Sequence, residues 1–251
     1  MYTKVKTDKE IIAMRQSGKL LAKVLGYLST VIESGMSTQD LAILAKKELS
    51  ALGGKPAFLN YQGFPDVICI SVNNEIVHGV PKKDKIIKSG DIISLDFGVI
   101  YDGMITDGAI SLILGEPLSN THLNLIKNTK KSMEAGIEVL KDGVRVGDIS
   151  SAVEGVLNKY KYGIIRDLVG HGVGHMLHED PNIPNYGTKG GGPSLKAGMT
   201  IAIEPMATLG SDDIFFTDDG WTVITSDGSL SAHFEHTVLI TESGFEILTE
   251  L

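Results

Sequence analysis

The chain has 251 residues, 42% hydrophobic and 22% charged, which gives it the length and apolar content to bury a substantial core. Its 31 acids against 23 bases leave a formal net charge of -8 with no long Lys/Arg stripe, arguing against nucleic acid or an anionic membrane as the main partner. The lone cysteine, Cys69, has no second thiol for a disulfide or a cysteine-built zinc or redox centre. With no apolar signal-type run near Met1 and no stretch of about 18 apolar residues, the expected location is the cytoplasm.

Thr7 and Glu10 have capping-box spacing, and Ile11, Met14, Leu21, Val24, Leu25, Leu28 and Ile32 recur at helical period up to Gly35. A second helix is expected from Thr38 to Leu52, closed by Gly53 and Gly54. Strands follow at roughly 67–72, 92–100 and 104–114, then helices over 120–141 and 147–160. After a stretch rich in glycine and histidine come strands near 199–207, 221–225 and 231–241. Helices and strands in blocks predict an α+β fold, and the absence of a low-complexity linker predicts one domain over 1–251.

A shift of 108 residues lays Gly35 on Gly143, Asp40 on Asp148, and the segment KSGDIISLD from Lys88 over KAGMTIAIE from Lys196, so that Asp96 falls on Glu204. That period is too long for a solenoid. It predicts two related halves, about 1–115 and 116–251, each with two helices and a strand bearing a carboxylate. A site on the axis between them would receive an acid from each.

Asp102-Gly103 favours a two-residue type I′ turn. Tyr101 then pairs with Met104 and Gly98 stands opposite Asp107, so Asp96 and Asp107 become same-face diagonal neighbours, about 7 to 8 Å apart at the backbone. For an arbitrary Asp on a strand, a solvent-facing position is the commoner outcome, but strands are depleted in Asp and the repeat supplies a second acid, Glu204. Three acids on a common face with no Lys or Arg interleaved call for a multivalent cation. Gly98 is expected to leave room above the sheet or to mark a bulge.

In GHGVGHMLHEDP, residues 170–181, three of the chain's seven histidines (His171, His175 and His178) fall within eight residues. Imidazole beside carboxylate suits manganese, iron, cobalt or zinc. In SLSAHFEHTVLI, alternation puts Glu235 and His236 on opposite faces, with Glu235 available to the acids and His236 left to pack or hydrogen-bond.

In this order the segments NYQGFPDVICISVNNEIVHGVP (60–81), LDFGVIYDGMITD (95–107), GHGVGHMLHEDPNIPNY (170–186), IAIEPM (201–206) and DGWTVITSDGSLSAHFEHTVLIT (219–241) resemble the methionine aminopeptidase family, specifically its short bacterial type I members with the pita-bread fold. The resemblance runs through almost the whole chain. It implies that Asp96, Asp107, His171, Glu204 and Glu235 hold two divalent metals, with Asp107 and Glu235 bridging. The implied chemistry is hydrolysis in which the ions acidify a bridging water and polarise the scissile carbonyl. Glu204 would shuttle the proton, His178 would hydrogen-bond the substrate carbonyl or oxyanion, and His78 the scissile amide nitrogen. The implied methionine pocket is walled by Tyr61, Phe64, Cys69, Leu177 and Trp221, each of which, read alone, would be assigned to core packing.

The chain departs from the family pattern at Gly108-Ala109, where Thr-Ser is usual, at His175, where Arg is frequent, and at Leu177, where an aromatic is common. These changes are expected to bear on the surroundings of the ligands and on pocket shape. Asn73 and Ser231 match positions of the family's monovalent-cation site. The expected activity is removal of the initiator methionine from nascent polypeptides and peptides with a small second residue, by a monomer in transient contact with the ribosome. The alternatives are a proline-directed relative, usually built with a large extra N-terminal domain; a catalytically weakened paralogue serving as a peptide-binding or ribosome-associated module; and a dimetal phosphoesterase, which would want Arg or Lys to clamp phosphate.

Overall fold

The computed structural model describes residues 2–250. Thr7 starts the first helix as its spacing requires: its hydroxyl accepts from Glu10 N–H, and Glu10 Oε2 accepts from Thr7 N–H at 2.7 Å. Helix α1 then runs Asp8–Val31, α2 Thr38–Ala51, α3 Asn120–Glu138 and α4 Val146–Lys159. The 108-residue offset recurs in local geometry. Ser37 N–H donates to Asp40 Oδ2 at 2.9 Å ahead of α2, and Arg145 N–H to Asp148 Oδ2 at 3.0 Å ahead of α4. Isolated bridges Ser37 to Ile86 and Arg145 to Ser194 repeat at the same offset, as do the left-handed glycines Gly90 and Gly198.

The main sheet has nine strands, antiparallel throughout. Its order is Lys55–Pro56, Ile92–Tyr101, Met104–Ile113, Glu235–Ile240, Thr200–Ile203, Gly170–Gly172 and Glu179–Ile183; Cys69–Val72 lies along Ile92–Tyr101 and Phe245–Ile247 along Glu235–Ile240. Glu235–Ile240 is therefore the seam, bonded to the first half through Met104–Ile113 and to the second through Thr200–Ile203.

One face of this sheet carries the helices. Leu95, Phe97 and Val99 bury against Leu21, Leu25 and Leu28 of α1 and Leu41 and Leu49 of α2, while Ile201, Ile203, Val238 and Ile240 bury against α3 and α4. Each fully buried aliphatic or aromatic side chain contributes about 1.5–3 kcal/mol. Gly108 belongs to this helix face, opposite Phe97; a Cβ there would lie 3.1 Å from Leu21 Cδ2, so the glycine lets α1 come close.

Two expected strands are each divided. The segment 199–207 is Thr200–Ile203 and Met206–Thr208, interrupted at Pro205, which has no N–H for a ladder; 231–241 is Ser231–His233 and Glu235–Ile240, interrupted at Phe234. The two breaks meet, because Phe234 N–H donates to Pro205 O at 3.4 Å. There both chains leave the main sheet for a smaller one in which Met206–Thr208 pairs with Ser231–His233 and with Gly163–Ile164. A third sheet joins Ile214–Phe216, Val223–Thr225 and Glu75–Val77. Among the described residues no helix is long and apolar enough to cross a membrane.

Candidate active site

Asp102 and Gly103, at φ 46° and 79°, make the turn their identities predict, and the register beyond it is unbroken: Tyr101 opposite Met104, Gly98 opposite Asp107, Asp96 opposite Ala109. Asp96 and Asp107 thus share the face away from the helices. Across the seam Glu235 also stands opposite Ala109, so Ala109 lies between Asp96 and Glu235 in the ladder. Glu204 follows directly after Thr200–Ile203, and His171 pairs with Ala202 of that strand.

These elements bring together all five side chains named as ligands. Single ligand atoms of Asp96, Asp107 and Glu235 lie within 4.8 Å of one another, as do those of His171, Glu204 and Glu235 and those of Asp107, His171 and His178. His171 Nε2 is 3.3 Å from Glu204 Oε1, and His171 Nδ1 is fixed by Gly172 O at 2.9 Å. His233 Nε2, 3.7 Å from Glu204 Oε2, adds a buried imidazole that the sequence reading did not assign to the site.

The electrostatics of the protein alone are lopsided. Burial and the neighbouring acids hold Asp96, Glu204 and Glu235 well above the usual carboxylate range, and burial raises Asp107 to about 7. Burial drives His171 and His233 down to about 3 and His78 to about 4, which keeps these rings neutral and their lone pairs available. Asp96 Oδ1 and Glu235 Oε1 are buried without a hydrogen-bond partner among the described residues, and Ala109 between them has no hydroxyl to offer. Four carboxylates and neutral imidazole, with unpaired oxygens facing inward, are a donor set that fits divalent first-row cations.

An apolar cavity of roughly 140 Å³ opens onto the acids. Tyr61, Phe64, Cys69, Leu177 and Trp221 all line it, and so do Phe58 and Gln62, which the sequence did not single out. Phe58 corrects the reading of Gly98: there is neither a bulge nor free space above that glycine, because a Cβ there would lie 2.6 Å from Phe58 Cε1. Phe64 meets Phe58 and Trp221 edge-on at 6.5 and 5.3 Å. Asp219 Oδ1 holds the Trp221 and Thr222 N–H groups at 3.0 and 2.8 Å, fixing the indole's turn.

His178 stands at the cavity mouth, its ring edge-on to His171 at 4.4 Å and its Nδ1 3.0 Å from the Tyr61 hydroxyl. His78 sits at φ 57° just after Glu75–Val77, a left-handed geometry that non-glycine residues adopt at a cost. Of the departures, Ala109 and Leu177 border the site. Gly108 does not, since it faces α1, and His175 points away to Glu10, with Nε2 2.8 Å from Oε1. His236 also faces away, its Nδ1 2.8 Å from Thr249 Oγ1. Asn73 and Ser231 meet: Asn73 O accepts the Ser231 N–H at 2.9 Å and its hydroxyl at 3.0 Å.

The chain belongs to metallopeptidase family M24, whose sequence model matches residues 12–242. Within that family, its full-length relatives include methionine aminopeptidases. The methionine aminopeptidase of Clostridium acetobutylicum is 44% identical over 98% of each chain. The solved methionine aminopeptidase of Thermotoga maritima, also 44% identical, superposes with a TM-score of 0.97 over 99% of this chain and 100% of its own. The prolidase of Pyrococcus furiosus, at 24% identity, shares the fold alone, with a TM-score of 0.79 over 98% of this chain and 65% of its own. The fold is accordingly the pita-bread fold common to these peptidases.

Proposed function

We propose that the protein removes the N-terminal methionine from nascent polypeptides and peptides whose second residue is small. The observation that carries this reading is the convergence of Asp96, Asp107, His171, Glu204 and Glu235 at the mouth of an apolar cavity sized for one unbranched side chain. These five residues would hold two divalent ions, of manganese, iron, cobalt or zinc; Asp107, His171 and Glu235 each belong to two of the ligand clusters, and Asp107 and Glu235, with two oxygens each, would be the shared carboxylates. When bound, such ions supply positive charge that acidifies water and polarises a carbonyl.

The chain's own groups do the rest. Tyr61, Phe64, Cys69, Leu177 and Trp221 receive the methionine thioether, a flexible side chain suited to aromatic contacts. Glu204, beside the ion site, takes the proton of the attacking water and passes it towards the leaving amine. His178 donates to the substrate carbonyl as negative charge grows there, and His78 orients the scissile amide nitrogen. A monovalent cation beside Asn73 and Ser231, a monomeric state, a cytoplasmic location and transient ribosome contact complete the reading.

The test is metal-dependent release of methionine from Met-Ala-Ser, compared with Met-Pro and Leu-Ala-Ser peptides, with Asp96→Ala as control. Release from Met-Ala-Ser alone, lost in the variant, is the expected result. No release with any divalent metal, or equal release by the variant, would overturn it and favour the binding-module alternative.

A further inference from the structure

Residues 3–10 reach the turn that carries Leu177 and His178 through a buried charge pair. Lys6 Nζ lies 3.3 Å from Glu179 Oε2, and both side chains are 0% exposed. The ammonium spends its other donors on Thr3 Oγ1 at 2.9 Å and Lys4 O at 3.1 Å. The second carboxylate oxygen of Glu179 turns back into the loop, accepting the N–H of His175 at 2.7 Å and of Met176 at 3.0 Å. Thr3 N–H donates to Asp180 O on the far side of the same turn, and Glu10 takes His175 from the outside. The Lys6 stem fills the space beside Gly174, at φ 145°, where a Cβ would collide with Lys6 Cε.

A buried ion pair costs desolvation that an apolar pair would not, and its best-attested use is to fix one geometry. Here every donor and acceptor of the pair is engaged, and two of the bonds end on the backbone just before Leu177 and His178. We propose that Glu179, held by Lys6, is a positioning residue: it fixes the 175–178 turn so that Leu177 closes the apolar cavity and His178 faces the acids. This rests on the methionine aminopeptidase reading, which gives His178 and Leu177 their roles.

The experiment compares two uncharged pairs in the metal-loaded full chain, Lys6→Met with Glu179→Gln and Lys6→Met with Glu179→Leu. Both remove the ions, but only glutamine retains an oxygen for the two N–H groups. The glutamine pair is expected to keep kcat within about threefold of the parent. The leucine pair should lose about tenfold or more in kcat, the size of one lost hydrogen bond, with KM little changed. Amide exchange at His175 and Met176, measured by NMR, should accelerate in the leucine pair alone. Glu179→Asp, which keeps the charge partner of Lys6 and withdraws the oxygens from the loop, should shift kcat and exchange in the same direction and covers a leucine pair that fails to fold. Equal kcat in the glutamine and leucine pairs, or faster exchange with kcat unchanged, would overturn the positioning role. A parent enzyme that releases no methionine overturns the functional reading instead.

Discussion

The Tyr61 hydroxyl lies 3.0 Å from Nδ1 of His178, and the two rings meet edge to face at 5.3 Å. With the phenol donating, Nδ1 accepts and the ring's one proton sits on Nε2, where it can reach a substrate oxygen. One residue of the cavity wall thereby also sets the tautomer of the imidazole proposed to donate to the substrate. Tyr61→Phe keeps the ring and the cavity wall, so kcat should fall about tenfold while KM for Met-Ala-Ser stays within about twofold. Steady-state kinetics decide it; a change confined to KM would reduce Tyr61 to a wall.

Glu204 shows stability and activity set against each other. Its carboxylate is driven above the ordinary range by burial, then by Asp107 and Asp96. In Glu204→Gln the repulsion disappears, so the metal-free variant should melt about 2 °C or more above the parent at pH 8. Its turnover should fall on the order of a hundredfold, the loss typical of a missing general base. Calorimetry of the metal-free proteins and a peptide assay of the loaded ones give both halves of the comparison.

Metal affinity should depend on pH in a definite direction. Asp107, raised from 3.8 to about 7, retains a proton in the folded metal-free protein across that interval, whereas the unfolded chain has lost it. Its contribution to metal-free stability is thus full below 3.8 and is lost as pH rises through about 7. A cation must displace that proton, while His171, already neutral above about 3, has none to give. Apparent affinity should therefore climb about tenfold per pH unit for each proton displaced, with the part due to Asp107 levelling off above about 7. The metal-induced rise in melting temperature, followed from pH 5 to 8, should track it; a flat profile would contradict the protonated acid cluster.

Leu21 and Gly108 form a matched pair across the helix–sheet interface, with 3.1 Å left between Leu21 Cδ2 and any added Cβ. Gly108→Thr should cost about 1–3 kcal/mol through overpacking. Leu21→Ala in the same chain should recover part of that cost, and denaturant unfolding of the four-member cycle measures the coupling. Simple additivity would show that the two side chains do not compete for the space.

What could be read in advance tracks what is local or repeated. The Asp102-Gly103 turn fixes ten pairings beyond it, so the face shared by Asp96 and Asp107 follows from two residues. Glu204 was reachable through the 108-residue offset, which the structure extends to caps, bridges and turns. His171 and Glu235 had only weaker signals, a histidine-rich loop and strand alternation, and rested mainly on resemblance, since their placement depends on strands of three and six residues. Phe58 was illegible for a related reason: it lies in an aperiodic segment just after a two-residue strand, and only the packing over Gly98 brings it to the cavity. Gly108 was legible as a departure but not in its meaning, because adjacent residues on a strand face opposite ways and the helix side had to be seen.

The seam strand Glu235–Ile240 is synthesised after both of the strands it joins. Until it emerges, the strand edges at Gly108 and Ala109 and along Thr200–Ile203 lack the partner they pair with, and an open edge is the kind of feature that templates pairing with other chains. The protein therefore passes through a stage of its own biosynthesis at which both flanking strands have been made and the acid cluster still lacks Glu235. Protection during that interval falls to whatever shields the nascent chain.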